Sequence, residues 1–142
     1  MQNIVSVTIS TTSGQNGVAT LGGSQMSFVS MEPGGTLVLN GGHATVTGTG
    51  DLSVVEKTTS QGYNTFDLGA AVTSFSGVDI QAGDIFNLSG FTAADIAAGF
   101  AHAQTSGLRE TLTISHAGGG SIAFGFLGEH GTLPTISQFH AA

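Results

Sequence analysis

Short segments of alternating apolar and polar residues dominate the first half of the chain. Val5, Val7 and Ile9 alternate with serine and threonine, which is the two-residue period of a half-buried strand. Glycine pairs separate these segments, and they mark tight turns between strands. Further strands are predicted at residues 18–21, 26–30, 36–39, 44–47, 52–56 and 65–68, and later at 111–115, 121–126 and 135–139.

One segment has the pattern of a helix. The Thr92 hydroxyl can cap a helix N-terminus, and Asp95 stands three residues later, as in a capping box. Ile96 and Phe100 then fall on a single apolar face. We therefore predict one short helix near residues 92–104.

Short strands with glycine corners are typical of several all-β architectures. A jelly-roll or β-sandwich, a barrel and a stacked solenoid share this pattern, and periodicity alone does not choose among them. The chain has 142 residues, which fits a single domain, 1–142. Within this domain, residues 1–61 form a region of short strands separated by glycines. Most phenylalanines follow residue 62.

Composition excludes several classes of function. Two basic residues against nine acidic ones give a net charge of −7, so no basic groove for nucleic acid can form. The absence of cysteine excludes disulfides and thiolate chemistry. No apolar run approaches the roughly 18 residues of a membrane-spanning helix, so we predict no membrane insertion. The first residues also lack the basic and apolar regions of a cleaved secretory signal.

The second part of the chain, residues 62–142, contains an ordered series of segments: GYNTFDLG at 62–69, VTSF at 72–75, QAGDIFNLSGF at 81–91, ETLTI at 110–114, GSIAF at 120–124 and TLPTISQF at 132–139. This series resembles the C-terminal region of RTX proteins, the hemolysin-type calcium-binding family exported by type I secretion. No intact glycine-rich nonapeptide repeat of that family occurs.

The residue pattern predicts an all-β fold with one short helix. The resemblance favours a stacked β-solenoid or β-roll, with a jelly-roll or β-sandwich as the alternative. It also implies an extracellular protein that meets the type I secretion machinery during export. Calcium is the one cofactor it implies. Asp67, Asp79 and Asp84 lie close together in the sequence, and their carboxylates could supply part of a calcium site.

Catalytic chemistry finds little support in the sequence. No GxSxG elbow, phosphate-binding loop or dinucleotide fingerprint occurs, and the five histidines lack the spacing of metal ligands. We therefore predict no catalytic residues and a protein that is not an enzyme. A glycan-binding or calcium-binding adhesion module is the alternative function, although the chain has no tryptophan and one tyrosine.

The first strand is a candidate for self-assembly. It is uncharged, rich in β-branched residues and free of proline, so it can pair with an open sheet edge of another copy. Pairing within its own sheet is the equal alternative. The predicted function is a structural protein that assembles head-to-tail into extracellular filaments or matrix, with other copies of itself as partners. The assembly residues are Asn3, Ile4, Val5, Ser6, Val7, Thr8, Ile9 and Ser10.

Overall fold

The computed structural model describes residues 4–9, 18–22, 26–31, 33–40, 43–57, 64–129 and 133–142. Within these residues the chain forms strands, one α-helix and a short 3-10 helix at Ile136–Gln138. In chain order the elements are β1 (Ile4–Ile9), β2 (Val18–Gly22), β3 (Met26–Met31), β4 (Thr36–Asn40), β5 (His43–Gly48), β6 (Gly50–Glu56), β7 (Thr65–Leu68), β8 (Val72–Val78), β9 (Ile85–Leu88), α1 (Ala93–Ala101), β10 (Gln104–Ser106), β11 (Arg109–Ser115), β12 (Ser121–Leu127) and β13 (Phe139–Ala141).

The strands form two sheets, and from β1 to β9 successive strands alternate between them. The first sheet has the order β1-β3-β5-β7-β9-β13, and all its neighbours are parallel. The second has the order β10-β11-β12-β8-β6-β4-β2, and only the pairs β10–β11 and β11–β12 are antiparallel. Each sheet thus grows by one strand at every second element.

The predicted all-β solenoid or β-roll is wrong. The structure has two open sheets of mostly parallel strands plus a packed helix, which is an α/β-like arrangement, and the second sheet changes to antiparallel pairing at its end. The alternative jelly-roll or sandwich is wrong as well, because those folds are built from antiparallel strands. Alternation of apolar residues reports which face of a strand is buried, and it carries no information on strand direction.

The helix is confirmed, and it packs closely on the second sheet. The Thr92 hydroxyl accepts a hydrogen bond from the Asp95 amide at 3.1 Å, and the Asp95 carboxylate accepts one from the Thr92 amide at 2.8 Å. Gly99 permits the approach of α1 to β11, since a Cβ there would lie 2.9 Å from the Thr113 carbonyl oxygen. Ile96 is buried, so the helix adds to the core that the strands enclose.

Most predicted strands are confirmed, with differences in the second half. Strands β8, β9 and β10 were not predicted as strands. The prediction for residues 135–139 is wrong over most of its length, because a 3-10 helix occupies Ile136–Gln138 and β13 begins at Phe139. The Thr135 amide donates to the Gln138 side-chain oxygen at 3.0 Å, and this bond closes a turn where alternation indicated a strand.

A phenylalanine cluster fills the core between the second halves of the sheets. Phe66, Phe86 and Phe139 occupy matching positions on neighbouring strands of the first sheet. The ring centroids are 4.9 Å apart for Phe66 and Phe86, and 4.5 Å apart for Phe86 and Phe139. From the second sheet, the ring of Phe75 meets Phe66 and Phe86 edge-on at 5.2 and 5.3 Å. Such pairs contribute about 0.5–1.5 kcal/mol each beyond the burial of their area.

Truncating the central ring should therefore be costly. We expect Phe86→Ala to lower the free energy of unfolding by about 3–5 kcal/mol, because it removes buried contacts and leaves a cavity. Phe28→Ala is the matched control, since its ring is 44% exposed, and we expect a change within about 1 kcal/mol. Urea denaturation followed by circular dichroism measures both. Equal losses in the two variants would contradict this account of the core.

Candidate functional site

Strands β1 and β2 form one end of both sheets, and their outer edges are here called the open end. β1 pairs with β3 along its whole length, from Ile4 opposite Met26 to Ile9 opposite Met31. β2 pairs with β4 in the same way. Within the described residues each strand has a neighbour on one side only. An edge strand presents unpaired N–H and C=O groups, which are a template for another strand.

The predicted assembly residues lie at this open end. Ile4–Ile9 form β1, whereas Asn3 and Ser10 lie outside the described residues. In the single chain β1 pairs within its own sheet, so donation to another copy would use its outer edge.

The opposite end is built differently. Its edge strands, β10 and β13, have three residues each, against six for β1 and five for β2. The helix packs against β13 as well as β11, and the Phe100 ring lies 4.9 Å from the Phe139 ring. Very short edge strands and a covering helix are two ways in which proteins protect sheet edges. Only the end formed by β1 and β2 has long edges in the described part of the chain.

The ionisable side chains come later in the sequence than the strands of the open end. No Asp, Glu, Lys, Arg or His precedes Glu32, which is the first of the nine acidic residues. Edge strands that must stay single commonly carry lysine, proline or inward charges. β1 and β2 carry none of these.

A buried group of polar side chains links the two sheets, and we call Glu56, Asn64, Asp84 and Gln138 the polar corner. The Asn64 side-chain oxygen accepts the Ala44 amide at 2.9 Å. The Asp84 carboxylate accepts the Asn64 amide at 3.0 Å and the Gln81 amide at 2.9 Å. Asn64 and Asp84 thus each satisfy a backbone donor at or next to the start of the neighbouring strand in the first sheet.

Glu56 enters the polar corner from the second sheet. Its side chain is 1% exposed, and its Oε1 accepts a hydrogen bond from the Asn64 side-chain amide at 3.0 Å. Oε2 is buried and makes no hydrogen bond of good geometry. Burial raises the pKa of Glu56 to about 10, and the nearby Asp84 carboxylate adds to the rise. Glu56 therefore holds a proton at neutral pH.

Gln138 ties the C-terminal segment to the same corner. Its side-chain amide donates to the carbonyl oxygens of Gln81 at 2.9 Å and Asp84 at 3.1 Å. The polar corner therefore connects β6, β7, β9 and the segment that precedes β13 through hydrogen bonds. Its side chains are at least 90% buried, and most of their hydrogen bonds go to backbone groups of neighbouring segments, so the arrangement holds the fold together.

Sequence reasoning missed Glu56, Asn64 and Gln138. One signal could have found part of the corner, namely the 20-residue spacing of Ala44, Asn64 and Asp84, which pair through side chain and backbone. The apolar residues two positions later in each segment, Val46, Phe66 and Phe86, have the same spacing and face one another in register.

The three predicted calcium residues lie in three different environments in the structure. The Asp67 carboxylate accepts the Asn87 side-chain amide at 3.0 Å. Asp79 is buried at the end of β8 with a positive φ of 55°. Asp84 belongs to the polar corner. Among the described residues, no group of three His, Cys, Asp or Glu side chains is placed to hold a metal ion. Calcium binding stays a prediction from the resemblance.

A shallow groove of about 590 Å³ runs along the outer face of the second sheet, and we call it the hydroxyl groove. Ala123 and Gly125 of β12 lie on its floor, with β8 on one side and β11 on the other. No Asp, Glu, Lys or Arg lines it. The lining hydroxyls belong to Ser74, Ser76, Thr111 and Thr113.

Comparisons with known proteins return no match to a family model, a curated protein or a solved structure. Among the described residues, no helix is long and apolar enough to cross a membrane.

The raised pKa of Glu56 predicts a loss of stability at high pH. The folded protein keeps a proton on Glu56 that the unfolded chain, with an ordinary pKa of 4.5, has released. The free energy of unfolding should therefore fall as pH rises from about 4.5 to about 10, with a limiting slope of about 1 kcal/mol per pH unit. In Glu56→Gln, a neutral amide replaces the protonated acid, and this part of the pH dependence should vanish.

Urea denaturation at pH 5, 7 and 9 measures the difference between wild type and Glu56→Gln. Other groups titrate in the same range, so the comparison uses this difference and not the absolute values. Glu129→Gln is the control, because Glu129 is exposed and its variant should follow the wild type. A constant difference between Glu56→Gln and wild type across the range would show that Glu56 holds no proton in the fold.

Proposed function

We propose that this protein is a non-enzymatic structural module whose copies join through the open end formed by β1 and β2. The single observation that carries the proposal is that both sheets terminate there in full-length edge strands. The strands have six residues in β1 and five in β2, and each presents one unpaired edge in the described structure. A second copy is a partner that can extend both sheets at once.

The charge distribution supports association at this end. Because no ionisable side chain occurs before Glu32, two copies that meet there bring no like charges of β1, β2 or β3 together. The net charge of −7 arises from later residues. Its repulsion across an interface at the open end is screened by salt, since the Debye length is about 8 Å at physiological ionic strength.

The predicted head-to-tail filament requires that the far end receives the open end. At the far end β10 and β13 are short, and α1 packs on β13. The geometry therefore favours contact between two open ends, and the filament stays a prediction. Electron microscopy distinguishes a filament from a small closed assembly.

An extracellular location through type I export is part of the proposal, and it rests on the resemblance to the RTX C-terminal region. Deleting the C-terminal segment from Thr113 onward to test it would also remove Phe124, Phe126 and Phe139 from the core. The deciding outcome is therefore secretion that persists without this segment, which would overturn the proposed export.

Binding of a neutral glycan in the hydroxyl groove is a second candidate function. The Ser74 hydroxyl donates to the Asp51 carboxylate at 2.7 Å. The hydroxyls of Ser76, Thr111 and Thr113 suit an uncharged, hydroxyl-rich ligand, because neither partner needs to lose the hydration of an ion. The groove has room for such a chain along β12, where a Cβ added at Gly125 would meet no atom within 4 Å.

Filling the groove tests the glycan candidate. Gly125→Leu should abolish binding to immobilised neutral oligosaccharides without unfolding the protein, since a Cβ at this position meets no atom within 4 Å. Gly69→Leu is the matched control, because Gly69 is equally open but lies outside the groove. Binding that is absent in the wild type, or unchanged in Gly125→Leu, would contradict a glycan site here.

Charging the open end tests the main proposal. Sedimentation velocity should show that the wild type associates in a concentration-dependent way. The double variant Ser6→Lys/Thr8→Lys should be monomeric, because like charges would face each other across the joined edges. Thr105→Lys is the control at the far end, on β10, and should associate like the wild type. A wild type that remains monomeric at high concentration would overturn the proposal.

A further inference from the structure

We infer that two copies of this chain form a two-fold symmetric dimer in which β1 pairs antiparallel with its own copy and β2 does the same. The inference rests on the proposed function, and it names the partner and the geometry of the open end. Its basis is the contrast between the two ends of the molecule.

Contact between the open end and the opposite end is less favourable than contact between two open ends. Growth of a filament needs a heterologous contact, in which one surface binds a different surface of the next copy. The far end offers three-residue strands and a helix that packs against β13. The open end offers strands of six and five residues. Because the described residues offer one surface with long edge strands, that surface binds the same surface of a second copy, and such a contact closes as a dimer.

A single two-fold axis can join both sheets. The rotation reverses strand direction when the axis is normal to the sheets and lies between the open ends. It then places β1 antiparallel to its copy and β2 antiparallel to its copy at the same time. Antiparallel pairing uses only the outward N–H and C=O groups of each edge strand.

The axis also fixes the register. A rotation about the sheet normal keeps each side chain on its own face of the sheet. Residues directly opposite each other in a sheet share a face, so one residue of each strand must lie opposite its own copy. For β1 the longest overlap places Ser6 or Val7 on the axis and leaves one end residue of the strand unpaired. For β2 it places Thr20 on the axis and pairs the whole strand.

Single cysteines test this register, because the chain has no native cysteine. Ser6→Cys, Val7→Cys and Thr20→Cys are made separately and oxidised under mild conditions. Opposite residues of an antiparallel pair have Cα atoms about 4.5–5.5 Å apart, which lies within the range of a disulfide. We expect Thr20→Cys, and either Ser6→Cys or Val7→Cys, to give a covalent dimer on non-reducing gels. Thr105→Cys on β10 is the control and should stay monomeric on the same gel.

Sedimentation velocity of the reduced proteins distinguishes a failure of the dimer geometry from a failure of the proposed function. A dimer in sedimentation together with self-linking at the axis supports the inference. Association without self-linking, with a disulfide only when Thr20→Cys and Thr105→Cys are mixed, shows head-to-tail contact between β2 and β10 of the second sheet and overturns the dimer while the proposed function stands. A wild type and variants that remain monomeric overturn both. Having a probe on each of the two strands keeps the test valid if one variant fails to fold, which circular dichroism reveals.

Discussion

Parallel pairing is the constraint on which the rest of this structure depends. Parallel neighbours cannot be joined by a tight turn, so the chain must cross elsewhere before it returns to the same sheet. From β1 to β9 the crossing segment is itself a strand of the other sheet. Both sheets therefore grow together, enclose one core and begin at the same end with β1 and β2. The open end follows directly from this order of strands.

The same order explains the buried polar corner. At the start of β5 and just before β7, the amides of Ala44 and Asn64 are buried away from water and need acceptors. Asn64 and Asp84 supply them at matching places in successive segments. Burial of Glu56 beside Asp84 then has an electrostatic cost, which a proton on Glu56 reduces. Stability and pH dependence are thus linked where carboxyl groups of the two sheets meet.

The sequence predicts the individual strands and the helix of this protein better than it predicts the order and direction of the strands in the sheets. Alternation at Val5, Val7 and Ile9 identifies β1, and the Thr92 capping box identifies α1, because both signals depend on neighbouring residues. Sheet order, strand direction and the pairing of Asn64 with Asp84 depend on residues far apart in the sequence. No local pattern encodes them. The all-β prediction failed for that reason, and Glu56 was read as the end of a strand and nothing more.

Amide hydrogen exchange at increasing protein concentration tests the central claim most directly. If copies join at the open end, protection of the β1 and β2 amides should rise with concentration, while protection in β10 and β13 stays constant. Each outward amide of the edge strands would gain a partner only in the assembly. Protection of β1 and β2 that is independent of concentration, or a rise confined to β10 and β13, would contradict the account.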